Sequence, residues 1–562
     1  MKFSEMPYTR PDLEEIKKSA NETLEKIHSA ATAEEQIAAY LAYEAENKEI
    51  STNFSVAYVR HSIDTRDEFY KKENDYLDEI SPALQEISQK IELALLNSPF
   101  RPQLEERLGK LLFQNLEISI RCMKPEIMEL MQEENKLTSE YQRLYASAAV
   151  EWEGETIPLP KLGPFLQSPD RAVRKAACET KARWFDEHQK ELDELYDKLV
   201  KNRTAQGKAM GYENYVPLGY DRLGRNCWGP KECAAFRAQI ASDMVPVVAR
   251  VKKDQAKRIG VEAMKLYDDA LMFPDGNADP QGTPDDILAA GRKMYHELSA
   301  ETKEFIDFLY DGELLDVLSK EGKAPGGYCT DFPAYQAPFI FSNFNGTSGD
   351  VDVLTHEAGH AFAFYRAARK GYLSALMSPT MEGCETHSMS MEFLTAPWHE
   401  LFFGPVTRKY EIGHCESSLI FIPYGCMVDE FQHRMYENPE LTPAQRNEVW
   451  LELEKKYRPW IDFDNLPFYS RGAGWQQQLH IYMYPFYYID YCMAQTMAFQ
   501  FWLTSLENRE EAWKKYLAFV DQGGTRTFEE LVEGAEMKLP YAPGCIKEIG
   551  EKISKWIDAN PL

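Results

Sequence analysis

The sequence predicts a mainly helical chain in two lobes, with a small β element beside a helix that carries two histidines. Three observations predict it. Apolar residues recur at helical spacing through most of the first two hundred residues. Beyond about Lys201 the chain becomes richer in glycine, proline and aromatics. A short apolar run, "APFIFSNFNGTSGD", then passes through a Gly-rich turn into "VDVLTHEAGHAFAFYRAARKG".

From Arg10 to about Asn97 the pattern is one of successive amphipathic helices. In "PDLEEIKKSANETLEKIHSA", Leu13, Ile16, Leu24 and Ile27 recur at helical spacing, and Pro11 suits a first turn. The pattern continues through "QLEERLGKLLFQNLEI" and "PEIMELMQEENKLTSEYQRLYASA", where Pro99, Pro102 and Pro125 mark ends. Glu153-Gly154, set between short runs of Val, Trp, Thr and Ile, predicts a hairpin. Ser168-Pro169-Asp170 then reads as a helix start. The composition shift places a lobe boundary near residue 200, dividing the chain into 1–200 and 201–562. Asp350 is the expected N-cap of the histidine helix.

Charge and composition bound the function. With 90 acidic against 63 basic residues the formal charge is −27, which repels phosphate backbones and anionic lipid, so neither nucleic acid nor a membrane surface is an expected partner. The apolar stretch "IYMYPFYYIDYCMAQTMAFQFWL" contains Pro485, Asp490, Gln495 and Gln500, so it reads as buried core or a cavity wall rather than a span. Ten cysteines stand as singles with no Cys-x-x-Cys pair, against a disulfide scaffold. The start "MKFSEMPYTRPDLEEIKK" lacks the apolar core of a secretory signal, and the expectation is a cytoplasmic protein.

His356-Glu357-x-x-His360 carries the chemistry. Residues four apart on a helix differ by about 40° and lie one turn apart, so both imidazoles can hold one ion. Zinc suits neutral imidazole nitrogens, and a catalytic site takes three protein ligands and leaves a position for water. Glu357 can reach that water without being a ligand. The competing reading is an accidental pattern on a surface helix. Val353, Leu354, Ala358, Ala361, Phe362, Ala363 and Phe364 oppose it, because they mark a buried helix. The third ligand should come from "SPTMEGCETHSMSMEFLTAPW", where Glu382, Glu385, His387 and Glu392 are all candidates on one helix.

The "HEAGH" helix, the glutamate just under thirty residues later in "CETHSMSMEF", and the aromatic "HIYMYPFYYIDY" together resemble the thimet oligopeptidase and oligoendopeptidase F family of zinc metallopeptidases. Bacterial oligoendopeptidase F-like and Pz-peptidase members are the most similar in texture. The resemblance implies that His356, His360 and Glu385 bind one Zn²⁺ and that Glu357 is the catalytic glutamate. Gly359 matches the family's glycine before the second histidine, and Glu382, Glu392 and Asp352 become candidates to support the ligands. It also implies a two-lobed body with a deep channel that admits short peptides.

In the family, donors to the substrate carbonyl come from a histidine and tyrosines late in the chain. Here these match His480, Tyr484 and Tyr491, with Tyr482, Tyr487 and Tyr488 as alternatives; Pro485 should interrupt any helix joining Tyr484 to Tyr491. A Tyr hydroxyl or protonated His there would stabilise the charge that develops on the carbonyl oxygen. "FIFSNFNGTSG" is either an exposed strand edge that could pair with an extended peptide or a plain support for the helix. The expected function is a zinc-dependent endopeptidase acting on internal bonds of short peptides. Its rivals are a zinc carboxypeptidase of related build and a non-catalytic zinc-containing peptide-binding protein.

Overall fold

The computed structural model describes residues 1–122 and 124–561. It is 71% helical with two small sheets, as the apolar periodicity predicts. Two compact units are interleaved along the chain. One comprises Met1–Ile120, Asp279–Thr407 and Met497–Met537, the other Arg121–Ala278, Arg408–Thr496 and Lys538–Leu562. Residue 200, where the sequence reading divides the chain, lies inside the continuous helix Gln189–Ala209.

In the first unit, helices Leu13–Ser29, Ala33–Ile63 and Glu68–Leu96 begin on Asp12, Thr32 and Asp67, whose side chains accept hydrogen bonds from first-turn N–H groups. Pro11 therefore lies just ahead of the cap rather than inside the helix. Ile16 and Ile27 are buried, and Ile16, Ile91, Leu95, Leu104 and Phe113 belong to one apolar core, with Leu24 packed against it. Pro102 and Pro125 occupy first turns, where a missing N–H costs nothing.

Among the described residues, five strands make the two sheets. β1 (Ala149–Trp152) and β2 (Glu155–Pro158) form the expected hairpin, with Glu153 and Gly154 both at positive φ in its two-residue turn. In the first unit, β3 (Leu315–Leu318), β4 (Tyr328–Phe332) and β5 (Ala337–Phe344) are ordered β3-β5-β4. β5 is parallel to β3 and antiparallel to β4. The run "FIFSNF" is thus a central strand, paired on both sides, and the edge belongs to β4.

β5 leads into the histidine helix, Gly349–Arg369. Ser348, not Asp350, is its N-cap residue. Asp350 is buried in the first turn and folds back on the connection, accepting from the N–H groups of Asn345 (2.9 Å) and Gly346 (2.8 Å). Gly346, at φ +86°, supplies the left-handed residue that this turn requires.

In the second unit, Asp170 caps helix Arg171–Glu187 by accepting from the N–H of Ala172, as expected. The late apolar stretch forms a short helix, Leu479–Met483, a break at Pro485 and Phe486 (φ +67°), and then helix Tyr488–Glu507. Ile489, Cys492, Met493 and Ala494 are fully buried, and no helix among the described residues is long and apolar enough to cross a membrane. The ten cysteines are all unbridged.

Candidate active site

The histidine helix is fixed by its apolar face. Val351, Leu354, Ala358, Ala361 and Phe362 are buried, Phe362 meets Phe305 edge-on, and the Tyr295 hydroxyl donates to the Leu354 carbonyl at 2.9 Å. The helix Met381–Leu394 crosses it at Gly359. A Cβ at Gly359 would lie 2.6 Å from Ser388 Cα and 2.7 Å from the His387 carbonyl oxygen, so only glycine permits this approach. The two backbones meet one residue before His360 and three residues after Glu385.

This contact brings the donors together. His356 and His360 stand with ring centroids 5.1 Å apart and planes at 82°. The Nε2 atoms of His356 and His360 lie 3.5 Å and 3.6 Å from the same oxygen, Glu385 Oε2, and one donor atom from each of the three residues falls within 4.8 Å of the others. Glu392 Oε1 accepts from His356 Nδ1 at 2.7 Å, which places a proton on Nδ1 and turns the Nε2 edge of the ring toward Glu385. Two imidazole nitrogens and one carboxylate oxygen, one imidazole steadied by a further carboxylate, make a donor set that fits zinc.

The four acid and histidine candidates on the second helix separate cleanly. Glu385 faces the histidines, and Ser388 Oγ donates to its Oε2 at 3.2 Å. Glu392 sits behind His356. Glu382 accepts from Thr380 Oγ1 at the start of the helix, and His387 packs against Phe519. Asp352 lies in the first turn of the histidine helix.

Electrostatics shows what the cluster demands. Burial disfavours a charged imidazole at His356, but hydrogen bonds to Glu385 and Glu392 outweigh it and hold the pKa well above the ordinary value. Burial likewise opposes the Glu385 carboxylate, yet the two histidines pull its pKa below the usual range. Both shifts express one mutual attraction, between the imidazoles and the carboxylates that surround them. Glu357 is pushed upward, first by burial, with His356 and His360 opposing. His387, buried and repelled by His360, falls to about 3 and is neutral.

β4 adds a neighbour that the sequence reading missed. The Cys329 thiol is pushed well above its ordinary pKa, first by burial and then by the charges of Glu357 and Asp331, which places this edge strand beside the glutamate of the motif. Alternation puts Cys329 and Asp331 on one face of β4.

The late aromatics gather around His480 in the second unit. Its ring centroid is 4.7 Å from Tyr488, 5.9 Å from Tyr484, 6.1 Å from Tyr487 and 6.2 Å from Tyr491. Tyr482 does not join them: it is fully buried, stacks on Tyr141 at 4.1 Å and donates to the Leu192 carbonyl. Burial lowers the His480 pKa, which favours the neutral ring over the protonated one. Gln478, another residue overlooked in the sequence, supplies the remedy. Its Oε1 accepts from the Tyr424 hydroxyl at 2.8 Å, so its Nε2 donates to His480 Nδ1, also at 2.8 Å. The proton then resides on His480 Nε2, which remains a hydrogen-bond donor without a net charge.

A second cluster, Cys233, Asp429 and His433, is buried in the second unit. The Arg237 guanidinium donates to Asp429 Oδ2 and approaches His433 Nδ1 at 2.9 Å, and Tyr220 meets His433 Nε2 at 3.0 Å. The positive charge this acid needs is already supplied by Arg237, which sets this cluster apart from the histidine and glutamate cluster of the first unit.

The model of the peptidase M3 N-terminal domain matches residues 3–123, and that of peptidase family M3 matches residues 165–551. A Lactococcus lactis subsp. cremoris protein, oligoendopeptidase F, chromosomal, is 23% identical over 368 residues, a match covering 61% of this chain and only 57% of that relative. Among solved structures, Pz peptidase A with inhibitor 2 superposes with a TM-score of 0.91 at 47% identity, covering 99% of each chain. A putative oligoendopeptidase F from Bacillus anthracis str. Ames gives 0.86 at 45% identity, over 100% of this chain and 98% of that one. Converging histidines and glutamate, a helical body and matches that together span most of its length lead to one conclusion: this chain belongs to peptidase family M3.

Proposed function

We propose that this chain is a zinc-dependent, cytoplasmic oligopeptidase that cuts internal bonds of short peptides. The observation that carries the proposal is the convergence of His356 Nε2, His360 Nε2 and Glu385 Oε2, with Glu357 next to the first ligand. Zinc, when bound by these three residues, supplies a Lewis acid for the carbonyl and lowers the pKa of water. Glu357 takes a proton from the attacking water and delivers it to the departing amine. Burial favours both halves of that task, because a carboxyl of raised pKa holds a proton long enough to pass it on.

His480, Tyr484 and Tyr491, joined by Tyr488, are assigned the donation of hydrogen bonds to the carbonyl oxygen as its charge grows. The neutral Nε2–H of His480 suits that role. β4, the edge strand beside Glu357, is the proposed backbone partner for an extended peptide, in place of β5.

Mass analysis of products from one unblocked ten-residue peptide tests the cut. Two fragments, each longer than one residue, whose masses sum to the substrate plus one water support an endopeptidase. Stepwise loss of single residues from the C-terminus would replace it with a carboxypeptidase, and binding without any product would leave a peptide-binding protein.

A further inference from the structure

The second unit contains a cavity of about 510 Å³ whose charged lining residues are Lys181, Lys252, Arg458 and Asp269. Two of the three cations are answered. Lys252 Nζ lies 2.6 Å from Asp269 Oδ1, and Arg458 donates to both oxygens of Glu454 at 2.8 Å and 2.6 Å. Lys181, on helix Arg171–Glu187, has no ion pair among the described residues. Burial pushes its pKa below the ordinary lysine value. An excess cation facing a cavity is notable in a chain of net charge −27, where carboxylates are abundant. A partly buried ammonium that lines a cavity without a counter-ion is stabilised by an anion that enters the cavity.

The cavity adjoins the His480 cluster within the same unit. Phe421 and Tyr424 form part of its wall, and their rings contact Tyr488 at 5.5 Å and 6.0 Å; Phe421 also meets Tyr491 edge-on at 6.4 Å. Tyr424 holds Gln478, which in turn holds His480. An anion in the cavity therefore sits one aromatic layer from the groups assigned to the carbonyl oxygen. Its volume suits a side chain or a chain end rather than a folded partner.

We propose that this cavity receives a carboxylate of the bound peptide, with Lys181 as its counter-ion. The proposal rests on the peptidase reading for the identity of the ligand. A peptide offers this chemistry from two sources, its C-terminal carboxylate and an Asp or Glu side chain.

Labelled peptides of one sequence, ending in a free acid, in an amide, or in an amide with one added Glu, are titrated by fluorescence anisotropy against full-length Glu357→Gln and Glu357→Gln/Lys181→Gln. With Lys181 present, one carboxylate-bearing peptide should bind about tenfold more tightly than the plain amide. Tighter binding of the free acid identifies the C-terminus as the source; tighter binding of the Glu peptide identifies the side chain. Lys181→Gln should bring the ratio close to one, and Lys181→Arg, which keeps the charge, should retain it. Thermal melts check that the variants fold, and the arginine variant carries the test if glutamine does not.

Equal binding of all three peptides, a preference that survives Lys181→Gln, or no binding of any peptide would overturn the proposal. Hydrolysis by the wild type is scored separately. A Lys181-dependent preference without hydrolysis would sink the catalytic reading and leave the anion site standing. Hydrolysis without the preference would do the reverse.

Discussion

Replacing Gly359 by alanine adds one methyl group at the crossing of the two helices that carry the proposed metal ligands. That methyl carbon would stand 2.6 Å from Ser388 Cα, against 3.4 Å for ordinary contact, a shortfall of about 0.8 Å. The obstructing atoms are backbone, so relief requires one helix to move rather than a side chain to turn. Alanine gains about 1 kcal/mol over glycine in a helix interior. Overpacking costs about 1–3 kcal/mol, leaving a net loss of up to ~2 kcal/mol. The larger effect falls on the metal. His360 is adjacent to the substituted residue and Glu385 is one turn from Ser388, whereas metal–ligand distances tolerate only about ±0.2 Å. Gly359→Ala should therefore weaken zinc binding at least about tenfold, measured by competition with a chromophoric chelator, while the metal-free protein melts at or slightly below the wild-type temperature. Wild-type zinc affinity together with a raised Tm would refute the close approach, because the normal stabilisation of a helix by Gly→Ala would then be all that remains.

Glu385→Ala should abolish stoichiometric zinc, read by elemental analysis after dialysis, and Glu382→Ala should retain it; the opposite pattern would reassign the third ligand. Acid stability supplies a test away from the site. Burial opposes the Glu134 carboxylate, but Arg203 and Arg222 outweigh it and pull its pKa down from 4.5 to about 2. A folded pKa below the unfolded one contributes stability above about pH 4.5, which is lost as pH falls towards 2. That shift corresponds to about 3 kcal/mol. Glu134→Gln should thus lower unfolding free energy by about that amount at pH 7, with the gap narrowing steadily below pH 4.5 in denaturant titrations; a pH-independent gap would contradict it.

What could be read from the sequence was local. Ile16 and Ile27 report their helix because burial follows the 3.6-residue period, and Glu153-Gly154 reports its hairpin because the two-residue turn demands positive φ at both positions. His356 and His360 share a face by helical geometry alone. Asp350 was misplaced because a carboxylate satisfies turn N–H groups as well as helix N–H groups, and only the backbone decides which are nearer. Whether β5 is an edge or a support for the helix stayed open in the sequence because its parallel partner β3 lies some twenty residues earlier, beyond any local pattern. The interleaved units, the Tyr424 hydroxyl that sets the Gln478 amide behind His480, Cys329 beside Glu357 and the unanswered charge of Lys181 arise from residues far apart in sequence. Only folding brings them together.

The central claim is that His356, His360 and Glu385 hold a catalytic metal and that Glu357 moves the proton. Its most direct test is hydrolysis of an internally quenched peptide by wild type and Glu357→Gln, with zinc measured on the same samples. The account predicts one zinc per chain in both proteins and a loss of turnover of about 10²-fold or more in the variant. Turnover by zinc-loaded Glu357→Gln at the wild-type rate would contradict it.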